Sequence, residues 1–400
     1  MGESAITMPM ANPKLKIMFL TATRADFGKL KSLMRSVSEA EQFECLIFAT
    51  GMHMLARYGS TIQEIYKSGF RNVHPYINQD GSVSSQMDLV LANTVHGLGL
   101  HIRESQPDLL VVHGDRVEAL AGAIVGALNN ARVAHIEGGE VSGTVDELLR
   151  HAVTKLSHIH FVANEEAAQR LRQMGEDWKS IFIIGSPDTD IMFSTNLPDL
   201  EEVKRHYEVP FDTYGIVLYH PVTTEHAQVR SNARELVNAL LASGLNFVVI
   251  HPNNDKGAET ILEELERLRG LPRFRFIPSM RFEYFLVLMK HATVMAGNSS
   301  AGVREAPAYA VPTVNIGTRQ NSRFHCSSIV DVPEDSEAIA RALANLPKGL
   351  APVHHFGRGN CAEAFMQVLR SQAIWSLPKQ KKFNDASEVV PGMRTKVAGG

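Results

Sequence analysis

Short runs of aliphatic and aromatic residues recur along this chain with helical stretches between them, and most of the runs lead straight into a polar group. From Lys16 the order is KIMFL, a helical pattern near Leu30, CLIFA, a helix near Ile62, then DLLVV, RVAHI, IHFVA and IFIIG. Runs that are apolar on both faces suit strands of a parallel sheet covered by helices on each side. The segment 196–214, NLPDLEEVKRHYEVPFDTY, is richer in proline, charge and turn formers than its flanks and marks a domain junction. A second rhythm follows: GIVLY, a helix from Ala233, FVVI, a helix from Glu259, FRFI, a helix from Arg281, TVMAG, a helix from Gly302, PTVNI and SSIVDV. The pattern predicts an α/β protein of two Rossmann-like, doubly wound domains, residues 1–195 and 196–360. An apolar-periodic helix over 361–376 and a polar, mobile tail over 377–400 complete the expectation.

Composition narrows the function classes. The longest apolar runs are strand-sized, far short of the roughly 18 residues a membrane-spanning helix needs. The N-terminal MGESAITMPM lacks the basic and apolar regions of an export signal, and Ile6 stands where a myristoylation motif wants Ser or Thr. Cys45, Cys326 and Cys361 are far apart, without the spacing of zinc sites or redox pairs, so reduced thiols in a cytoplasmic protein are expected. A net charge of −3 gives no overall attraction for nucleic acid or a membrane surface. Any anion must be held by a local site.

Parallel sheets bind ligands beyond the carboxyl ends of their strands, so the residues after each run carry the chemistry. Here these are TATRADFG, HGDR, EGGE, HP, HPNN and NSSAG. Asp115 and Glu137 follow successive strands and project from one sheet edge, where a pair of acids can divide acid and base roles. Asp115 has a plainer alternative as the cap of a helix near Val117. Asp146 opens DELLRHAVTKL, where an acid serves as an N-cap, but the Gly-rich EGGEVSGTV between it and Glu137 can fold back over the cleft. GNSSAG, residues 297–302, offers backbone donors and hydroxyls to a phosphate at the start of the helix carrying Glu305. It has neither the P-loop lysine nor GxGxxG spacing. Arg24, Arg116 and Arg319 lie in predicted loops after strands, where guanidinium groups can grip a diphosphate. His220 and His251 each precede a proline at a strand end and read as cleft walls. No HExxH or carboxylate-rich cluster is present, so neither a metal nor any other cofactor is expected.

Taken together, ATRADFG, HGDR, HIEGGEVSGTVDELLRH, HPN and GNSSAGVREAP resemble the hydrolysing UDP-N-acetylglucosamine 2-epimerases of sialic-acid and legionaminic-acid synthesis, over roughly Lys16 to Leu369. The resemblance implies a GT-B architecture with substrate in the cleft between the domains and a C-terminal helix returning to the first. It also implies catalytic roles for Asp115, Glu137 and Asp146, with assistance from His220. Ser299, Ser300 and Glu305 would hold phosphate and ribose, and Arg24, Arg116, Asn253 and Arg319 would line the nucleotide and sugar site. The implied partners are a UDP-sugar substrate and further copies of the chain, as dimer or tetramer. The implied reaction removes the carbon-2 proton as the nucleotide leaves carbon 1, then adds water across the 2-acetamidoglycal with inversion at carbon 2. Glu137 or Asp146 is the expected base, with Asp115 on the other side. Rival readings are a non-hydrolysing 2-epimerase, a glycosyltransferase of the same architecture, and a catalytically inactive nucleotide-sugar sensor.

Overall fold

The computed structural model describes residues 13–56, 59–79, 86–142, 145–222, 225, 227–252 and 257–384. Two parallel sheets carry the two domains. The first is ordered β3-β2-β1-β4-β5-β6-β7, from β1 (Leu15–Thr21), β2 (Phe43–Ala49), β3 (Val73–Pro75), β4 (Leu109–His113), β5 (Arg132–Ile136), β6 (Ile159–Val162) and β7 (Ile181–Ile183). The second is ordered β10-β9-β8-β11-β12-β13, from β8 (Gly215–Leu218), β9 (Phe247–Ile250), β10 (Phe274–Ile277), β11 (Met295–Gly297), β12 (Thr313–Ile316) and β13 (Ile329–Val332). The expected two-domain α/β architecture is what these residues build. In each sheet the chain order reverses beside the first strand, between β1 and β4 and between β8 and β11, which opens a crevice at the strands' carboxyl ends.

Several elements are additional to those read from the sequence, among them an edge strand and a long helix. The edge strand β3 is only three residues long. The helix Met87–Ser105 buries Val90, Thr94, Gly97, Leu98, Gly99 and Ile102 while leaving Leu89 and Leu100 exposed, so its apolar residues do not mark its inner face. Gly97 is needed there because a Cβ would lie 2.1 Å from the Tyr76 ring.

The first domain's core is completed from the far end of the chain. Helix Cys361–Arg370 inserts Cys361, Phe365, Met366 and Leu369 among Ile17, Phe19, Leu30 and Leu33. Phe365 packs edge-on against Phe161 at 4.8 Å between ring centroids. Each such side chain contributes roughly 1.5–3 kcal/mol by leaving water. The Asp190 carboxylate accepts the first backbone N–H groups of this helix, from Cys361 at 2.7 Å and Ala362 at 2.8 Å, and so fixes where it begins.

Residues 377–384 differ from the expected mobile tail. Lys381 Nζ donates to the carbonyls of Lys155 at 3.0 Å and Ser157 at 2.7 Å and to Glu176 Oε2 at 2.5 Å, and the Lys379 carbonyl lies 2.8 Å from His158 Nε2. A lysine that satisfies several buried acceptors holds its segment down, which its polar composition does not reveal. The rest of the tail, 385–400, lies outside the described residues.

Candidate active site

Glu137 is the first residue after β5, and its backbone turns at once into the left-handed region, with φ of 61°. A side chain with a Cβ resists that conformation by about 1–2 kcal/mol. Neighbouring bonds hold it, including Glu137 N–H to the Phe161 carbonyl at 2.9 Å. Gly139 has to be glycine, because a Cβ there would come within 2.4 Å of the Ala167 carbonyl oxygen. The EGG sequence is therefore a sharp turn that aims a buried carboxylate into the crevice.

That carboxylate is surrounded by donors from both domains. His113 Nε2 lies 3.1 Å from Oε2, and His113 Nδ1 lies 2.8 Å from Asp26 Oδ1, giving a buried Asp26–His113–Glu137 chain. Asp26 is itself oriented by the Ala22 N–H at 3.1 Å. Arg304, from the second domain, donates to Glu137 Oε1 at 2.5 Å and to Ser186 Oγ at 2.8 Å, while Ser186 Oγ also donates to Glu137. Lys29 Nζ stands 3.5 Å from Glu137 and 3.1 Å from Asp188. Burial alone would raise the pKa of Glu137, but Arg304, Lys29 and His113 outweigh it and hold the group well below the ordinary carboxylate value. Burial would likewise discharge His113, yet Asp26 and Glu137 raise its pKa to about 9, so both ring nitrogens carry protons at neutral pH.

Asp115 lies on the same edge, in the loop after β4. It does not cap the following helix, whose N-cap is Arg116; its carboxylate pairs with Arg150 instead. Arg150 sits one turn beyond Asp146 on helix Val145–Leu156, and four-residue spacing puts the two on one helical face. Asp146 itself is exposed in the first turn, so of the three expected acids one is deeply buried, one half-buried and one at the surface.

The remaining expected residues divide by domain. Arg24 is exposed and pairs with Glu64 at 3.1 Å, and Arg116 pairs with the buried Glu118 at 3.2 Å. On the second domain, Asn298 clasps the backbone of His220, accepting its N–H at 2.7 Å and donating to its carbonyl at 2.8 Å. Burial, reinforced by Arg319, lowers the His220 pKa to about 3, which makes its imidazole neutral. Arg319 and Gln320 both donate to the Asn298 carbonyl, at 3.2 and 2.8 Å. The ends of β8 and β11 and the loop after β12 are thus tied together. Ser299 and Ser300 lead into a helical turn of four residues, Ala301–Arg304. Glu305 is buried behind it, and burial, then Asp188, raises its pKa to about 7 against the pull of Lys29 and Arg304. Asn253 lies outside the described residues.

Sequence reading passed over Asp26, Lys29, His113, Arg150, Ser186, Asp188 and Arg304. His113 stood inside HGDR, and Ser186 and Asp188 directly follow IFIIG, so the strand-end rule that found Asp115 and Glu137 reaches them too. Among the described residues no group of three or more His, Cys, Asp or Glu side chains is placed to hold a metal ion. No described helix is long and apolar enough to cross a membrane.

Two parallel-sheet domains, with acids on one sheet edge and cations supplied across the crevice by the other, define an α/β protein with its candidate site between the domains. The family model for UDP-N-acetylglucosamine 2-epimerase matches residues 35–370, and the chain belongs to that family. A UDP-N-acetylglucosamine 2-epimerase of Neisseria meningitidis is 46% identical over 92% of this chain and 99% of its own. A hydrolysing UDP-N,N'-diacetylbacillosamine 2-epimerase of Legionella pneumophila is 33% identical over 90% of this chain and 97% of its own. The Methanocaldococcus jannaschii UDP-GlcNAc 2-epimerase, solved in complex with UDP-GlcNAc and UDP, shares the fold with a TM-score of 0.75 at 19% identity, covering 89% of this chain and 99% of that one.

Proposed function

We propose that this 2-epimerase is a hydrolysing one, converting a UDP-N-acetylhexosamine, either UDP-GlcNAc or UDP-2,4-diacetamido-2,4,6-trideoxyglucose, to the free manno-configured sugar and UDP. The observation that carries the reading is the EGGEVSGTVDELLR segment, whose EGG turn buries Glu137 and whose helix brings Arg150 to Asp115. The Legionella relative, hydrolysing by name, supports it.

In this reaction a carboxylate takes the carbon-2 proton while the carbon-1 to oxygen bond breaks towards UDP, leaving a 2-acetamidoglycal. Water then supplies hydroxide to carbon 1, and a proton returns to carbon 2 from the opposite face. A carboxylate held well below its ordinary pKa stays ionised, so Glu137 serves as proton acceptor or counter-charge and not as the donor. Donation to the opposite face falls to Asp115 or Asp146. A neutral His220 can assist as a hydrogen-bonding group from the second domain. Ser299, Ser300, Glu305, Arg24, Arg116, Asn253 and Arg319 are the nucleotide and sugar ligands of the same proposal.

Proton NMR of the protein with each UDP-sugar in deuterated water tests it. Free manno sugar carrying deuterium at carbon 2 is expected. UDP-linked manno product would establish the non-hydrolysing reaction instead, which the plain name of the Neisseria relative favours. We read the protein as cytoplasmic, in keeping with three free thiols, and as a symmetric homo-oligomer, to be measured by light scattering.

A further inference from the structure

We propose that His135 is a positioning residue for the reaction, acting through the Gly114 carbonyl to hold Asp115 and through Thr154 to hold the helix that brings Arg150 to it. The inference rests on the reading of Asp115 as a reacting acid. His135 lies on β5, two residues before Glu137, and is fully buried, with its ring between the loop after β4 and helix Val145–Leu156.

Two hydrogen bonds fix the ring. Nε2 lies 2.8 Å from the Gly114 carbonyl oxygen, and Nδ1 lies 3.1 Å from Thr154 Oγ1. A carbonyl only accepts, so Nε2 carries the hydrogen. Burial outweighs the pull of that carbonyl and lowers the His135 pKa to about 3, so the ring is neutral, Nδ1 is bare and the Thr154 hydroxyl donates to it. Gly114 turns in the left-handed region, at φ 68°, and gives its own N–H to the Ile136 carbonyl at 3.0 Å. The Gly114 carbonyl and the Asp115 nitrogen belong to one planar peptide unit, so gripping the carbonyl sets the direction in which Asp115 leaves the sheet.

The contacts close into a ring. Asp115 pairs with Arg150, Arg150 lies one helical turn before Thr154, Thr154 donates to His135, and His135 returns to the peptide that precedes Asp115. Gly138 belongs to the same device. It is not in the left-handed region, yet a Cβ there would lie 2.9 Å from His135 Nδ1 and 3.1 Å from Thr154 Oγ1, against the bond itself. The two glycines of EGG therefore answer different demands, Gly139 the sharp turn beside Ala167 and Gly138 the room for this hydrogen bond. An apolar residue in place of His135 would leave the Gly114 carbonyl and the Thr154 hydroxyl without that partner, and the turn that carries Asp115 would be freer to move.

Turnover of whichever UDP-sugar reacts faster in the NMR assay, and calorimetric titration of UDP, test the brace in the wild type, His135→Asn and His135→Gln, with thermal melting as the check on folding. A glutamine amide reaches as far as Nε2 and can still donate to Gly114, whereas an asparagine amide reaches only as far as Nδ1. His135→Asn is expected to lower kcat about a hundredfold, the cost of displacing a reacting group by about 1 Å, with KM and UDP affinity within about threefold of wild type. His135→Gln is expected to recover most of that loss. Packing alone would treat the two amides alike, so equal losses in both, or a folded His135→Asn protein with kcat within about threefold of wild type, overturn the inference. If His135→Asn does not fold, Thr154→Val decides: a loss of about tenfold in kcat at unchanged UDP affinity supports the brace, and wild-type kcat ends it. An Asp115→Asn protein that keeps wild-type kcat removes the reading of Asp115 and this inference together, whereas an active His135→Asn protein beside an inactive Asp115→Asn one ends this inference alone.

Discussion

Two carboxylates are buried at opposite edges of the first sheet, each beside a histidine and a lysine. Glu137 follows β5 at the carboxyl edge; Glu176 precedes β7 at the amino edge, where it meets His160 at 2.9 Å, Lys155 at 2.8 Å and Lys381 at 2.5 Å. Burial would raise the pKa of Glu176, but these partners lower it to about 2. Both webs set cations on a buried acid, but burial lowers the His160 pKa and leaves that imidazole uncharged, whereas His113 is protonated. They differ in what surrounds them: the Glu176 web is confined to the first domain and the segment that covers it, whereas the Glu137 web includes Arg304 from across the crevice and neighbours a pocket of unpaired guanidinium nitrogens. A perturbed carboxylate therefore marks function only when the groups around it are incompletely satisfied and open to a ligand.

The sharpest break of this comparison comes from matched substitutions. Glu137→Gln is expected to lower kcat by about a thousandfold or more while UDP still binds, as read by product NMR and calorimetry. Loss of activity without loss of fold separates it from its counterpart. Glu176→Gln leaves two lysine ammonium groups around a neutral amide, and is expected to destabilise the protein by about 3 kcal/mol in denaturant titration, with kcat of the folded fraction nearly unchanged. A folded Glu176→Gln protein without activity would erase the distinction.

The pH dependence sharpens it next. The His113 pKa is raised in the folded protein, so its stabilising contribution is complete below the unfolded value of roughly 6.5 and is lost as pH rises through about 9. Glu176 has a lowered pKa, so its contribution is complete above the unfolded value of about 4.3 and is lost as pH falls through about 2. Melting curves across pH 6–10 should show an alkaline fall that His113→Asn flattens and Glu176→Gln leaves in place. The smallest effect is expected of Lys381→Ala, about 1 kcal/mol, because its ammonium is partly exposed and Lys155 and His160 remain on Glu176. A change in kcat for this variant would tie the covering segment to the crevice.

Much of the fold was legible because parallel strands announce themselves as apolar runs, and the runs from KIMFL to SSIVDV correspond to strands. Helix Met87–Ser105 was not, since its packed face uses Thr94 and two glycines and its leucines partly face water. Strand-end polarity pointed to Asp115 and Glu137 but says nothing about side-chain pairing. That Asp115 meets Arg150, and that Arg304 reaches Glu137 from 167 residues away, are contacts made only by the packed domains. Lys381 illustrates the reverse, a polar stretch that composition assigns to solvent and a few buried carbonyls retain.

The return of helix Cys361–Arg370 to the first core has a consequence for how the protein is made. A ribosome emits β1 to β7 long before the helix that fills the space beneath Phe19 and Phe161. At about 5–20 residues per second the interval is roughly ten to forty seconds. Through that time the earlier half presents an open apolar trough, and by its end the second sheet already has its whole complement of strands. The half synthesised first is the half that matures last, and chaperone capture should concentrate on nascent chains that end before Cys361.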